Sequence, residues 1–159
     1  MTTFTRRPEG EEYTMQDRLD LANASMEAAA AKGCPEAVMG MRAVSISEDG
    51  MPKICFAFEA STEKQNRYGT LHGGMIASLL DEAMGMAATA YSTMQMSTVG
   101  FSVNYQKAGL GEHYVIEVNM ENIGRRIIQA SAKLYDTDNN KQCANAIGLY
   151  SVSKVPVTF

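Results

Sequence analysis

Asn66 to Tyr91 reads NRYGTLHGGMIASLLDEAMGMAATAY, and the fold is decided by how that stretch has to be housed. Asn66, Gly69, Thr70, His72, Gly73 and Gly74 come first. A run of Ala, Met, Leu and Gly follows, in which the only charges are Asp81 and Glu82. A helix that is small and apolar on nearly every side cannot lie on a surface, so the rest of the chain is expected to wrap it. An unpaired carboxylate inside such a core is costly. A carboxylate in that place therefore points to chemistry.

Upstream of this helix, Thr14 and Asp17 have the spacing of a capping box. Met15, Leu19, Ala22, Met26 and Ala29 recur at helical spacing until Gly33 and Pro35 stop the pattern. The spacing predicts a first helix over 14–32, lying on the outside of the fold. Ala37–Ser47 and Met51–Glu59 alternate as two strands joined at Glu48-Asp49-Gly50, a strong hairpin signal. Ser61–Tyr68 is a polar loop.

Downstream, four strand-like runs follow: Thr98–Gln106, His113–Glu121, Arg126–Tyr135 and Gln142–Ser153. Val99, Phe101, Val103 and Tyr105 share a face of the first, Tyr114, Ile116, Val118 and Met120 of the second, and Ile128, Ala130, Ala132 and Leu134 of the third. Helix, two strands, buried helix and four strands make an α+β domain over 14–159, behind a flexible segment 1–13. An antiparallel sheet of about six strands is expected to curl round the long helix. Its edges and outer face would still need covering, which calls for at least a dimer.

Composition narrows the function. A net charge of −4 offers no basic footprint for nucleic acid. Cys34, Cys55 and Cys143 are odd in number and widely spaced, as expected of reduced thiols in a cytoplasmic protein. The first residues, MTTFTRRPEGEEY, hold no apolar core segment of a secretory signal, and two adjacent acids at mid-helix argue against a membrane span. His72 and His113 share no ligand spacing with acidic or thiol partners, so no metal is expected. A GxSxG nucleophile motif is absent from the sequence.

His72-Gly73-Gly74 opens the long helix, where free N–H groups and the positive end of the helix dipole stabilise negative charge. Two glycines allow close approach of a ligand to the backbone. That is suitable equipment for an oxyanion hole around a carbonyl that becomes tetrahedral. Asp81 lies nine residues after His72 (81 − 72), ~13 Å along an α-helix. The two cannot serve one carbonyl within a single subunit. A two-fold dimer brings the helix start of one subunit to the mid-helix Asp of the other.

The stretch NxxGTLHGGMxxxLLD resembles the hotdog-fold acyl-CoA thioesterases, specifically the PaaI-like group of the 4-hydroxybenzoyl-CoA thioesterase superfamily. The resemblance runs from about Ala37 to Lys154 and rests mainly on HGG with an acid seven positions after its second Gly. It implies a hotdog fold and an acyl-CoA substrate, with coenzyme A present only as part of that substrate and no other cofactor. It also implies a homodimer or a dimer of dimers. Gly73 N–H would polarise the thioester carbonyl, His72 would orient that loop, and Asp81 of the neighbouring subunit would be general base or nucleophile. Asn66 would position the attacking water and Thr98 would assist it, an alignment that needs a small gap within Tyr91–Ser97.

Each residue also has a structural reading. Asp81 could be an interface carboxylate, His72 a helix cap, Gly73 and Gly74 a tight turn, and Asn66 a satisfier of loop backbone. Glu82 is expected to be solvated or interfacial, and His113 an exposed strand residue. Met75, Met84, Met86, Met94 and Met96 suit core filling or an adaptable acyl groove. Arg125 and Arg126, at a hairpin turn, suit either coenzyme A phosphates or plain surface. A hotdog hydratase or dehydratase, and a non-catalytic acyl-CoA-binding module, are the rival functions. The acyl group itself is not written in these spacings.

Overall fold

The computed structural model describes residues 11–158; residues 1–10, most of the segment expected to be flexible, lie outside the described residues. Helix α1 (Met15–Ala31) begins at Thr14, where the capping box with Asp17 forms, and the backbone turns left-handed at Gly33, φ 69°. Its buried residues are Leu21, Ala22, Ala24 and Met26. The apolar stripe read from sequence is thus rotated: Met15 is exposed and Leu21 takes a central place. The rotation follows from two polar anchors. Asn23 pairs with both backbone groups of Ala43, at 2.9 and 3.1 Å, and Arg18 donates to the carbonyls of Ala90 and Tyr91. Asn23 thereby covers part of an otherwise open sheet edge.

The next segment departs from expectation. Residues 36–39 form a helical turn, α2 (Glu36–Met39), where a strand from Ala37 was predicted. Pro35, with φ −52°, presets the helical conformation, and Gly40 ends it at φ 58°. Strand β1 (Arg42–Ser47) starts only after that turn and pairs with β2 (Lys53–Glu59). A short 3-10 turn, Thr62–Lys64, leads into the long helix α3 (Gly73–Ser92).

Four long strands follow: β3 (Met94–Tyr105), β4 (His113–Ile123), β5 (Ile127–Asp136) and β6 (Lys141–Pro156). The sheet is antiparallel with order β1-β2-β4-β5-β6-β3. Its inner face wraps α3, giving the hotdog architecture. The expected faces of β4 and β5 are the buried ones: Tyr114, Ile116, Val118 and Met120 on β4, Ile128, Ala130, Ala132 and Leu134 on β5. Small residues under the helix, Ala130 and Ala132 with Ala144 and Ala146 of β6, let α3 seat closely, and Leu79, Leu80 and Met84 fill the space around them.

Strand β3 is a sheet edge, and its faces differ from the simple alternation read from sequence. The register with β6 shifts between Thr98 and Gly100. Thr98 pairs with Tyr150, while Phe101, Val103 and Tyr105 pair with Gly148, Ala146 and Ala144, all on the buried face of β6. Val99 is the extra residue of this bulge and stands 60% exposed. The bulge therefore puts Thr98, rather than Val99, on the helix side with Phe101, Val103 and Tyr105.

Candidate active site

The start of α3 is tied down before it begins. His72 N–H donates to the Lys64 carbonyl at 2.8 Å, and Leu71 N–H to the Gly109 carbonyl at 3.0 Å. His72 is the N-cap, and its Nδ1 accepts the Gly74 N–H at 2.9 Å. That bond places the neutral ring's proton on Nε2. A Cβ on Gly74 would lie 3.2 Å from the imidazole, so glycine here makes room for the cap. The Gly74 N–H is engaged by His72. Gly73 N–H, at the first helical position, has no hydrogen-bond partner among the described residues and stays available to an anion. The Tyr105 hydroxyl donates to the Gly73 carbonyl at 2.8 Å and links β3 to this turn.

Asn66 organises the approach to the turn. Its Oδ1 accepts N–H groups of Tyr68 and Thr70 at 2.9 and 3.3 Å, and its Nδ2 donates to the Thr70 hydroxyl at 2.8 Å. The loop-satisfying reading of Asn66 is thus realised, and its amide keeps one further hydrogen to offer.

A second cluster lies eight residues along α3 from Gly73 (81 − 73), ~12 Å away. The Thr98 hydroxyl stands 3.1 and 3.3 Å from the two carboxylate oxygens of Asp81. The Tyr150 hydroxyl stands 2.9 Å from Oδ1 and 3.1 Å from the Asp81 carbonyl oxygen. These groups open onto a cleft of about 360 Å³ between α1, α3 and β3, lined among others by Ser25, Asp81, Glu82, Met86, Met96 and Thr98. Of the expected site residues, Asp81 and Thr98 meet here, and His72, Gly73, Gly74 and Asn66 meet at the helix start. One chain therefore holds two separate clusters along α3.

Glu82 departs from the solvated reading. It is half-buried on this cleft, and burial, then Glu36, then Asp81 push its carboxyl up to about 7. Glu36 Oε2 is itself buried without a hydrogen-bond partner among the described residues. His113 lies against Asp138 at 3.0 Å and is 60% exposed at its side chain, in keeping with a surface role. Arg125 lines a separate open cleft of about 460 Å³ with Ser92, Met94, Gly124 and Lys154, at the C-terminal end of α3. Arg126 is exposed on the same hairpin and uses its carbonyl to accept Val152 N–H at 2.9 Å. Among the described residues no group of three or more His, Cys, Asp or Glu is placed to hold a metal ion, and no helix is long and apolar enough to cross a membrane.

Residues 68–143 match the family model described as the thioesterase superfamily. The chain carries that match over a little under half of its length. It is similar to a Pseudomonas aeruginosa protein provisionally designated an esterase, 26% identical over 106 residues that span 65% of this chain and 78% of that protein. Among solved structures, zebrafish thioesterase superfamily member 2 superposes with a TM-score of 0.74 at 23% identity, covering 89% of this chain and all (100%) of that one. A Streptococcus mutans protein bound to acetyl CoA gives 0.65 at 23% identity, over 74% and 92% of the two chains. A hypothetical thioesterase from Streptococcus pneumoniae, solved with coenzyme A, gives 0.62 at 19% identity, over 71% and 88%. These structural likenesses establish the fold. The bulge of β3 and the hydroxyl of Tyr150 are the parts of the Asp81 cluster that sequence reading missed.

Proposed function

We propose that the protein is an acyl-CoA thioesterase of the PaaI-like group, working in the cytoplasm as a dimer or a dimer of dimers. The observation that carries this reading is a carboxylate held by the Thr98 hydroxyl at the mouth of a cleft, on the same helix as an unengaged N-terminal N–H but ~12 Å from it. A two-fold partner completes the site. The edge strand β3 supports such pairing: it is twelve residues long, and Val99, Phe101 and Tyr105 remain 60%, 40% and 56% exposed on it.

In the composite site, Gly73 of the partner subunit donates its N–H to the thioester carbonyl oxygen, with His72 of the partner subunit holding the turn. Asp81 takes a proton from water as the hydroxide adds to the carbonyl carbon, and Thr98 and Asn66 of the partner subunit fix that water. The tetrahedral oxyanion is stabilised by the N–H and the helix dipole. Its collapse breaks the C–S bond, and the proton held by Asp81 passes to the departing thiolate. Neither metal nor additional cofactor enters these steps. Attack by Asp81 itself on the carbonyl carbon would use the same groups, breaking the C–S bond to expel the CoA thiolate and giving a mixed anhydride that water then opens.

A turnover screen over short-chain and aryl acyl-CoAs, with CoA release read by a thiol-reactive dye, tests the reading. Asp81→Ala is expected to lower kcat by roughly 10²–10⁴-fold, with melting unchanged. Full activity in that variant contradicts the assignment. Hydration of crotonyl-CoA without CoA release would move the function to the hydratase class, and tight acyl-CoA binding without turnover to a binding module.

A further inference from the structure

Two glycines stand where regular structure disfavours them. Gly85 lies inside α3 and Gly148 inside β6, and glycine weakens the interior of both kinds of element. Both face the same side chain. A Cβ on Gly148 would fall 2.9 Å from the Tyr150 ring, and one on Gly85 would fall 3.4 Å from it. The ring is 1% exposed. The two glycines therefore clear a slot that holds the ring between helix and sheet, and the slot aims the hydroxyl at Asp81.

Tyr150 is also the direct cross-strand partner of Thr98. Side chains opposite one another on an antiparallel pair share a face, so β3 and β6 present one hydroxyl each to the same carboxylate. A phenyl ring would fill the slot as well as a phenol. Only the hydroxyl needs Asp81.

We infer that Tyr150 is a positioning residue for Asp81, donating a fixed hydrogen bond that orients the carboxylate toward Thr98 and the cleft. The inference rests on the proposed function for its catalytic meaning, and on geometry alone for its effect on Asp81. Burial, then the Asp81 charge, raises the Tyr150 phenol above its ordinary value, so it stays a donor through the working pH range. The other titratable group in the cleft is Glu82, which faces Glu36 of α2. From α1 and β3 the cleft receives neutral Ser25, Gln95, Met96 and Thr98.

The test is Tyr150→Phe, read first by the carbon-detected NMR signal of the Asp81 carboxyl at one fixed pH, assigned by its loss in Asp81→Asn. The signal is expected to move as the carboxylate loses its anchor, while kcat falls about tenfold and KM stays within about twofold. Gly148→Ala, which pushes the ring out of its slot, should move the signal as well and serves if the phenylalanine variant does not fold. An unmoved Asp81 signal in either folded variant overturns the inference. Should the wild-type protein release no CoA from any acyl-CoA, the proposed function fails, and the NMR signal still decides the role of Tyr150.

Discussion

Thr98 and Asp81, 17 residues apart in sequence, are joined by one hydroxyl that reaches both carboxylate oxygens, at 3.1 and 3.3 Å. The relationship depends on the register of β3. One extra residue at Val99 shifts the strand, so that Thr98 shares the inner face with Phe101, Val103 and Tyr105. Because side chains alternate with period two, an unbulged strand with those three residues inward would turn Thr98 to the outer face. The bulge thus converts an apolar edge strand into one that delivers a hydroxyl to a carboxylate.

The proposed oxyanion half-site can be removed without removing the helix. Gly73 occupies the first helical position, where proline is favoured and an N–H is unpaired in any case. His72, at φ −67° and ψ 133°, already has the conformation a following proline requires. Gly73→Pro is therefore expected to keep the melting temperature while lowering kcat by roughly 10²–10³-fold. Steady-state kinetics beside a thermal melt check this.

Glu82 makes stability depend on pH. Burial, then Glu36, then Asp81 raise its carboxyl to about 7 in the folded chain, from the ordinary 4.5. Between those values the folded state keeps the proton and the unfolded state has released it, so stability falls as pH rises through the window and levels off above it. Below the window both states are protonated and the full stability is present. Urea denaturation at about pH 5 and pH 8 should show the wild type losing on the order of 1–3 kcal/mol more than Glu82→Gln. Equal losses in the two proteins contradict the burial of this acid.

Arg125 sits in its cleft with Lys154, at the end of α3 remote from His72. If these cations hold the phosphates of coenzyme A, Arg125→Ala raises KM for acyl-CoA about tenfold and leaves kcat alone. A pantetheine thioester lacking the nucleotide phosphates should show no such change. Kinetics with the two substrates side by side provide the measurement, and Arg126→Ala beside it tells which arginine acts.

The sheet and its central helix were legible because their signals are local. Alternation marks β4 and β5, Thr14 and Asp17 cap α1, and an apolar run with no room for a surface marks α3. The helical turn at Glu36–Met39 was hidden in a segment that also alternates, and only Pro35 and Gly40 at its ends distinguish it. The bulge at Val99 depends on pairing with β6, which no single strand records. The capped helix start was legible from HGG, and the structure gives its glycines different places: Gly74 admits the imidazole and Gly73 keeps the open donor. Tyr150 looked like any inward residue of β6. Its signal lay elsewhere, in two glycines at the interiors of a helix and a strand.

Complementation between two inactive chains tests the shared site most directly. Asp81→Ala and Gly73→Pro, each inactive alone, are co-expressed so that subunits mix. A mixed dimer then holds one site with both Asp81 and an open Gly73 N–H, and random mixing should restore about a quarter of wild-type activity. Activity no greater than that of the separate variants would contradict a reaction centre built from two chains.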